Sequence, residues 1–401
     1  MQTFIHPSFR ELTEASEADR ILRSCVHCGF CNATCPTYQL LGDERDGPRG
    51  RIYLIKEMLE LGEASQETRS HLDRCLQCRS CETTCPSGVE YHRLLEIGRS
   101  LVEQKAPRSL TDKTLRRGLL LTVPEPARLK PLLTLANLAR PVLPSSLKKK
   151  MPRSTGPAAN WPQPAHERRV LLLEGCVQSV THAGINAAAA RVLDRLGVSA
   201  LPAPGCCGAL AQHLPARERA RETVRRNIDA WWPLIEAGAE AVVLTASGCT
   251  PTVTDYGRLL ANDPEYAERA QRIANLATDI SGYLEGFDLE PLKPASPPTE
   301  PIAFHAPCSL QHALRGQGRV ESMLTRLGFS LAPVADAHLC CGSAGSYSLL
   351  QPEISAQLAQ RKIRNLEAGE PRLIATANIG CLAQLQGFTD LRVVHWIELL
   401  G

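Results

Sequence analysis

The sequence predicts an α + α/β protein, with a mainly helical N-terminal domain followed by two duplicated α/β modules whose sheets are mostly parallel. Three observations lead there. The chain has 401 residues, room for two or three domains, and its 43% apolar and 22% charged content is that of a folded protein rather than a disordered one. Its 16 cysteines fall into two patterns, eight in two tight runs before residue 86 and eight widely spaced after residue 175. The second set lies inside an internal repeat, the mark of duplicated structural units.

The N-terminus, MQTFIHPSFRELTEASEADRIL, lacks the basic start and apolar core of an export signal. No apolar run approaches the roughly 18–20 residues that a membrane span needs. The expectation is a cytoplasmic chain, peripheral to a membrane at most, in a reducing compartment where disulfides are rare and cysteines serve as metal ligands. A net charge of +3 and an aromatic content of 4% argue against a nucleic-acid binder.

The first cysteine run is Cys25-Val-His-Cys28-Gly-Phe-Cys31-Asn-Ala-Thr-Cys35-Pro36, the second Cys75-Leu-Gln-Cys78-Arg-Ser-Cys81-Glu-Thr-Thr-Cys85-Pro86. Both follow C-x2-C-x2-C-x3-C-P, the ferredoxin pattern for cubane 4Fe–4S clusters. Three thiolates at every third residue wrap one cube, and the fourth, displaced by one and followed by proline, points towards the other. The expected ligand sets are therefore crossed: Cys25, Cys28, Cys31 and Cys85 for one cluster, Cys75, Cys78, Cys81 and Cys35 for the other. Zinc is the competing reading, although it usually takes two separated cysteine pairs per site. DGPRGRIYLIKEMLELG between the runs and SGVEYHRLLEIGRSLVEQ after Pro86 read as helices. His27, Arg79 and His92 are placed either to tune a cluster or to serve as plain surface or capping residues.

A cysteine-free stretch from Lys105 to Arg169 carries 14 Lys or Arg against three acids. TDKTLRRGLL, ARLKPLLTLANLARPVL and SSLKKKMP read as short amphipathic helices broken by prolines, and RSTGPAANWPQPAH as an exposed linker. Such a stretch serves as a solvated connector or as a docking surface for an acidic partner or an anionic membrane face.

In the repeat, RRVLLLEGC, DRLGVSALPA, Cys206-Cys207-Gly208 and EAVVLTASGC are matched by PIAFHAPC, TRLGFSLAPV, Cys340-Cys341-Gly342 and RLIATANIGC. Short apolar runs suit buried parallel strands, and the alanine-rich stretches between them suit helices. Cys176, Cys206, Cys207 and Cys249 in the first copy, and Cys308, Cys340, Cys341 and Cys381 in the second, then stand at strand ends, where open α/β sheets gather their ligands. Gly208 and Gly342 let the backbone approach a bulky cofactor. Buried cysteines acting as small hydrophobes are the alternative. The expected organisation is a helical ferredoxin-type domain over 1–104, a basic Pro-rich helical connector over 105–167, and Cys-Cys-Gly modules over 168–290 and 300–401.

CVHCGFCNATCPTYQLLGDERDGPRGRIYLIKEMLE, HLDRCLQCRSCETTCPSGVEYH, NIDAWWPLIEAGAEAVVLTASGC, HLCCGSAGSY and TANIGC resemble the iron–sulfur subunit family of glycolate oxidase (glycolate dehydrogenase) over nearly the full length. The Cys-Cys-Gly modules resemble, more broadly, subunits of heterodisulfide reductase, lactate-utilisation proteins and anaerobic glycerol-3-phosphate dehydrogenase. The resemblance implies an electron-transfer subunit that serves flavin-containing subunits oxidising glycolate to glyoxylate. It further implies a quinone or other membrane acceptor and a place on the cytoplasmic face of the inner membrane. The alternatives are a thiol–disulfide reductase of the heterodisulfide reductase type, or the corresponding subunit of a lactate or glycerol-3-phosphate dehydrogenase. The heterodisulfide reductase relatives end each module in Cys-x-x-Cys and build a noncubane cluster. Here Thr252 and Gln384 take the last position, which leaves a third 4Fe–4S centre on the module cysteines or no metal there.

No G-x-G-x-x-G after a strand, P-loop, Cys-x-x-Cys-His or His-Glu-x-x-His is present, so no substrate-oxidising site of its own is expected. The Ser343-Ala344-Gly345-Ser346 after Gly342 lacks the context of a hydrolase elbow. His305 and His312 flank Cys308 and read as hydrogen-bonded loop residues or as ligands or proton relays. Trp231 and Trp232 read as packing residues.

Overall fold

The computed structural model describes residues 1–10, 14–139, 161–163, 165–296 and 298–401. SSLKKKMP and most of the predicted linker lie outside the described residues. The chain divides into two compact units, residues 1–117 with 338–358 and residues 118–337 with 359–401.

The first unit is helical. Helix α1 (Ala15–Ser24) buries Ala18, Ile21 and Leu22 at helical spacing. Helix α2 (Pro48–Leu61) starts on a proline, which suits a first turn whose N–H has no partner, and stops at Gly62 with φ +77°. Helix α3 (Gln66–Asp73) is capped by Ser65, whose hydroxyl accepts from the Thr68 N–H at 2.9 Å. Helix α4 (Tyr91–Lys105) contributes Leu94, Leu95, Ile97, Leu101 and Val102 to the core. A Cβ on Gly98 would stand 2.7 Å from Ile55, so only glycine lets α4 pass α2 so closely. Cys25, Cys75 and Cys81 belong to this same core.

The predicted helices of the basic connector are present as α5 (Leu110–Thr122) and α6 (Pro126–Leu138). Pro131 was expected to break the second, yet the helix runs through it. Standing in the second turn, Pro131 forfeits only the bond to the Ala127 carbonyl, close to the helix start.

The second unit holds two four-stranded sheets. The first has β1 (Arg168–Leu173), β2 (Val198–Ala203), β3 (Ala241–Leu244) and β4 (Ala277–Asp279) in the order β2-β1-β3-β4. The second has β5 (Ile302–His305), β6 (Leu331–Ala332), β7 (Leu373–Thr376) and β8 (Val393–His395) in the order β6-β5-β7-β8. Every pairing is parallel. The identical strand order is the duplication seen in the sequence. β1 crosses to β2 through α7 (Gly184–Arg195), whose alanines pack against apolar strands, and β2 to β3 through α8 (Arg217–Glu236). Trp231 on α8 is fully buried, donates to the Pro204 carbonyl at 3.1 Å and stacks against Tyr256, which is a packing role.

Candidate metal centres

The two ferredoxin-type runs adopt one backbone form. His27 and Gly29 have positive φ in the first, and Gln77 and Arg79 occupy the same places with positive φ in the second. Three of the four are not glycine, and each costs about 1–2 kcal/mol in the left-handed region. Alternating backbone hand curls each loop around a hollow. The loops then enter one-turn helices at Phe30–Ala33 and Ser80–Thr84, which meet where the Thr34 and Thr84 hydroxyls lie 3.1 Å apart.

Two cavities result. Cys25, Cys28, Cys31 and Cys85 line the first, together with His27, Ile52 and Val89. Cys35, Cys75, Cys78 and Cys81 line the second, together with Thr37, Arg51, Arg79 and His92. Pro48, Cys81 and Tyr91 line both, so one layer of side chains separates them. His27, Arg79 and His92 therefore all stand on cavity walls, and His92 is also held by Glu82, at 2.7 Å from its ring Nδ1.

Burial raises the Cys31 thiol to about 11, with Cys25 next in effect, and lifts Cys81 well above its ordinary value. Protons are thus held on sulfurs that crowd one another, and a cation in the hollow would take their place. Donors already face these sulfurs. The Tyr91 hydroxyl donates to Cys75 Sγ at 3.7 Å, the Val89 N–H reaches Cys85 Sγ at 3.5 Å, and Thr37 Oγ1 lies 3.3 Å from Cys35 Sγ.

Arg51, which the sequence places at a helix start with no role, is central to the second cavity. It is 1% exposed. Its guanidinium donates to the His71 carbonyl at 2.8 Å, to Thr37 Oγ1 at 3.1 Å and to Asp46 Oδ1 at 3.4 Å. Burial opposes its charge, but Cys75, Tyr91, Cys35 and Asp46 more than offset this, and the cation is retained. Asp46 is itself tied to His71 at 2.9 Å and Arg74 at 2.9 Å, so it is a counter-ion and not a ligand. The periodicity of DGPRGRIY showed a helix, but only the fold shows that its arginine turns inward.

In the first Cys-Cys-Gly module the four thiols converge. Cys176 and Cys206 are hydrogen-bonded, as are Cys206 with Cys207 and Cys207 with Cys249. Hydrogen bonds from Cys176 and Cys207 pull Cys206 down, and Cys176 and Cys207 rise in turn. The loop is pinned from behind: Asn227 donates to the Cys206 carbonyl at 2.7 Å and Tyr256 to the Cys207 carbonyl at 3.0 Å. Gly208, at φ +91°, turns the chain away into the following helix. Thr252 is buried in the turn after Cys249 and offers no thiol.

In the second module Cys308 opens the turn Ser309–Ala313, and Cys381 lies in α9 (Ile379–Gln386). Cys340 and Cys341 fall within the 338–358 segment of the first unit, where the Tyr347 hydroxyl donates to the Arg74 carbonyl at 3.0 Å. Gly342, at φ +83°, lies close to the Ser355 backbone, where any Cβ would clash.

A 4Fe-4S dicluster domain matches residues 21–89, and a cysteine-rich domain matches twice, at 170–254 and 302–386. The chain is 53% identical over 402 residues to the glycolate oxidase iron-sulfur subunit of Escherichia coli (strain K12), covering 100% of this chain and 98% of the relative. The chain belongs to the glycolate oxidase iron-sulfur subunit family. A probable glycolate oxidase iron-sulfur subunit of Bacillus subtilis (strain 168) is 30% identical over 99% of this chain and 96% of its own length. Lactate utilization protein A of Shouchella clausii (strain KSM-K16) is 27% identical over 58% of this chain and 98% of its own. As a member of the glycolate oxidase iron-sulfur subunit family the chain carries 4Fe–4S clusters and acts as an electron-transfer component working with the other subunits of an oxidoreductase complex. Among the described residues no helix is long and apolar enough to cross a membrane.

Proposed function

We propose that this subunit takes electrons from flavin-containing subunits that oxidise glycolate to glyoxylate and delivers them to a quinone or another membrane acceptor. Cys25, Cys28, Cys31 and Cys85 hold one 4Fe–4S cluster, and Cys75, Cys78, Cys81 and Cys35 the other. The observation that carries this reading is the pair of cavities, each combining three thiols of one run with the fourth of the other and divided by a shared layer at Cys81 and Tyr91. The clusters supply one-electron uptake and release. The chain's own residues fix their separation, exclude water and set the local charge. Crossed ligation suits a relay, because it ties the two sites to one rigid frame and keeps them adjacent.

A place on the cytoplasmic face of the inner membrane agrees with the basic connector and with α6, which presents Leu132, Leu135 and Leu138 to solvent beside Arg128 and Lys130. In the assembled complex, Cys28→Ser is expected to abolish acceptor reduction while flavin reduction by glycolate survives. Undiminished acceptor turnover would refute the proposal.

A further inference from the structure

The duplicated modules differ in chemistry at the buried position that closes their first strand. β1 ends on Leu173 and β5 on His305, each three residues before the first cysteine of its module. Leu173 is an ordinary core residue, so the fold does not require an imidazole here. The sequence leaves His305 as a hydrogen-bonded loop residue or as a ligand or proton relay; it closes a strand and is 2% exposed.

Its surroundings leave one ring nitrogen without a role. Nδ1 lies 3.4 Å from Thr376 Oγ1 on the neighbouring strand, whereas Nε2 is buried with no hydrogen-bond partner. An unpaired buried polar atom is costly, a reason to look for what it meets when the site is complete. A ring nitrogen of His305 lies within 4.8 Å of the Cys381 sulfur. That sulfur is itself oriented, since Asn378 Nδ2 donates to it at 3.4 Å while Asn378 Oδ1 accepts from the Gly248 N–H at 3.3 Å.

The geometry points to His305 Nε2 as a nitrogen ligand to an iron–sulfur centre in the second module, beside Cys381. This rests on the reading of the chain as an iron–sulfur protein and names a ligand that the cysteine pattern does not contain. Thr376 suits the role of outer partner, because an Nδ1–H donated to its hydroxyl leaves Nε2 bare, as ligation requires. Burial, followed by the nearby Lys362 ammonium, holds the imidazole neutral down to about 3. Lys362 is committed to the Asp336 and Ala337 carbonyls, at 2.8 and 3.3 Å, and does not compete for the ring. With Gln384 in place of a final cysteine, the histidine supplies a further donor to the module. The first module, with leucine there, stays all-thiolate.

The test uses the full chain purified without oxygen, with 15N-histidine and natural-abundance samples examined by pulsed EPR, together with iron and zinc analysis. A histidine nitrogen coupling that changes with the isotope, and iron above the about eight atoms of two cubanes, are expected. His305→Leu, which copies the first module, should remove the coupling and the additional iron while both N-terminal cluster signals persist as the folding control. About eight irons with no nitrogen coupling would overturn the assignment and leave the N-terminal relay standing, as would zinc in the second module. A coupling that survives His305→Leu would also overturn it.

Discussion

The two N-terminal cavities are built from the same loop, yet their walls differ. Around the first lie Ile52 and Val89 with His27 and a half-buried Arg49 that is paired to Glu44, and its Cys28 is exposed at the surface. Around the second lie a buried guanidinium and a threonine hydroxyl, with the Tyr91 hydroxyl on Cys75, and three of its four thiols are buried. A positive charge and hydrogen-bond donors favour the more negative, reduced form of a cluster, most strongly where, as with Arg51, the charge is buried rather than open to solvent. The second site should therefore have the higher potential. The exposed first site is then the entry for electrons from a partner, and the second the place to which they fall. Identical cysteine spacing fixes the cluster type, and the side chains behind the loop fix the direction.

The largest effect expected is on ligation itself. Cys85→Ser should remove the cluster of the first run, and Cys35→Ser that of the second, each with loss of about four irons and one of two EPR signals. If Cys85→Ser instead removed the signal that responds to Arg51, the crossed pairing would be wrong. Next comes Arg51→Met, which leaves Asp46 buried beside a lost partner. It should cost about 3–5 kcal/mol in anaerobic denaturation. It should also lower the second potential by on the order of 100 mV, as expected for a unit charge about 6 Å away at an effective dielectric of about 20. Arg51→Lys should recover part of the potential but little of the stability, because an ammonium cannot reach His71, Thr37 and Asp46 together. An equal shift of both clusters would remove the contrast between the cavities. Smallest is Tyr91→Phe. Loss of one weak bond to sulfur, about 0.5–1 kcal/mol, should lower the second potential by about 20–40 mV in a redox titration and leave the first almost unmoved.

Much of this was legible in the sequence, because it rests on spacing. The two runs, the helices after each and the repeated strand–Cys–helix pattern depend on local periodicity; the strand order itself comes only from the fold, and the duplication explains why both modules share it. What was not legible depends on the direction in which a side chain points after folding. Arg51 reads only as part of a helix start until the fold turns it onto Asp46. Tyr91 reads as the start of a helix until its hydroxyl is found on Cys75. Pro131 reads as a breaker, because its nearness to the start of α6 is invisible without the boundary. The positive φ of Arg79 and Gln77 gave no compositional sign, since only Gly29 among the four positions is glycine.

The most direct test mixes glycolate with the oxidised complex anaerobically and follows freeze-quenched samples by EPR. The account predicts that flavin reduction is followed by two cluster signals, with the one assigned to Cys35, Cys75, Cys78 and Cys81 filling first and the other only as further electrons arrive. Reduced flavin with both clusters still oxidised, or both signals rising in parallel with no difference in potential, would contradict it.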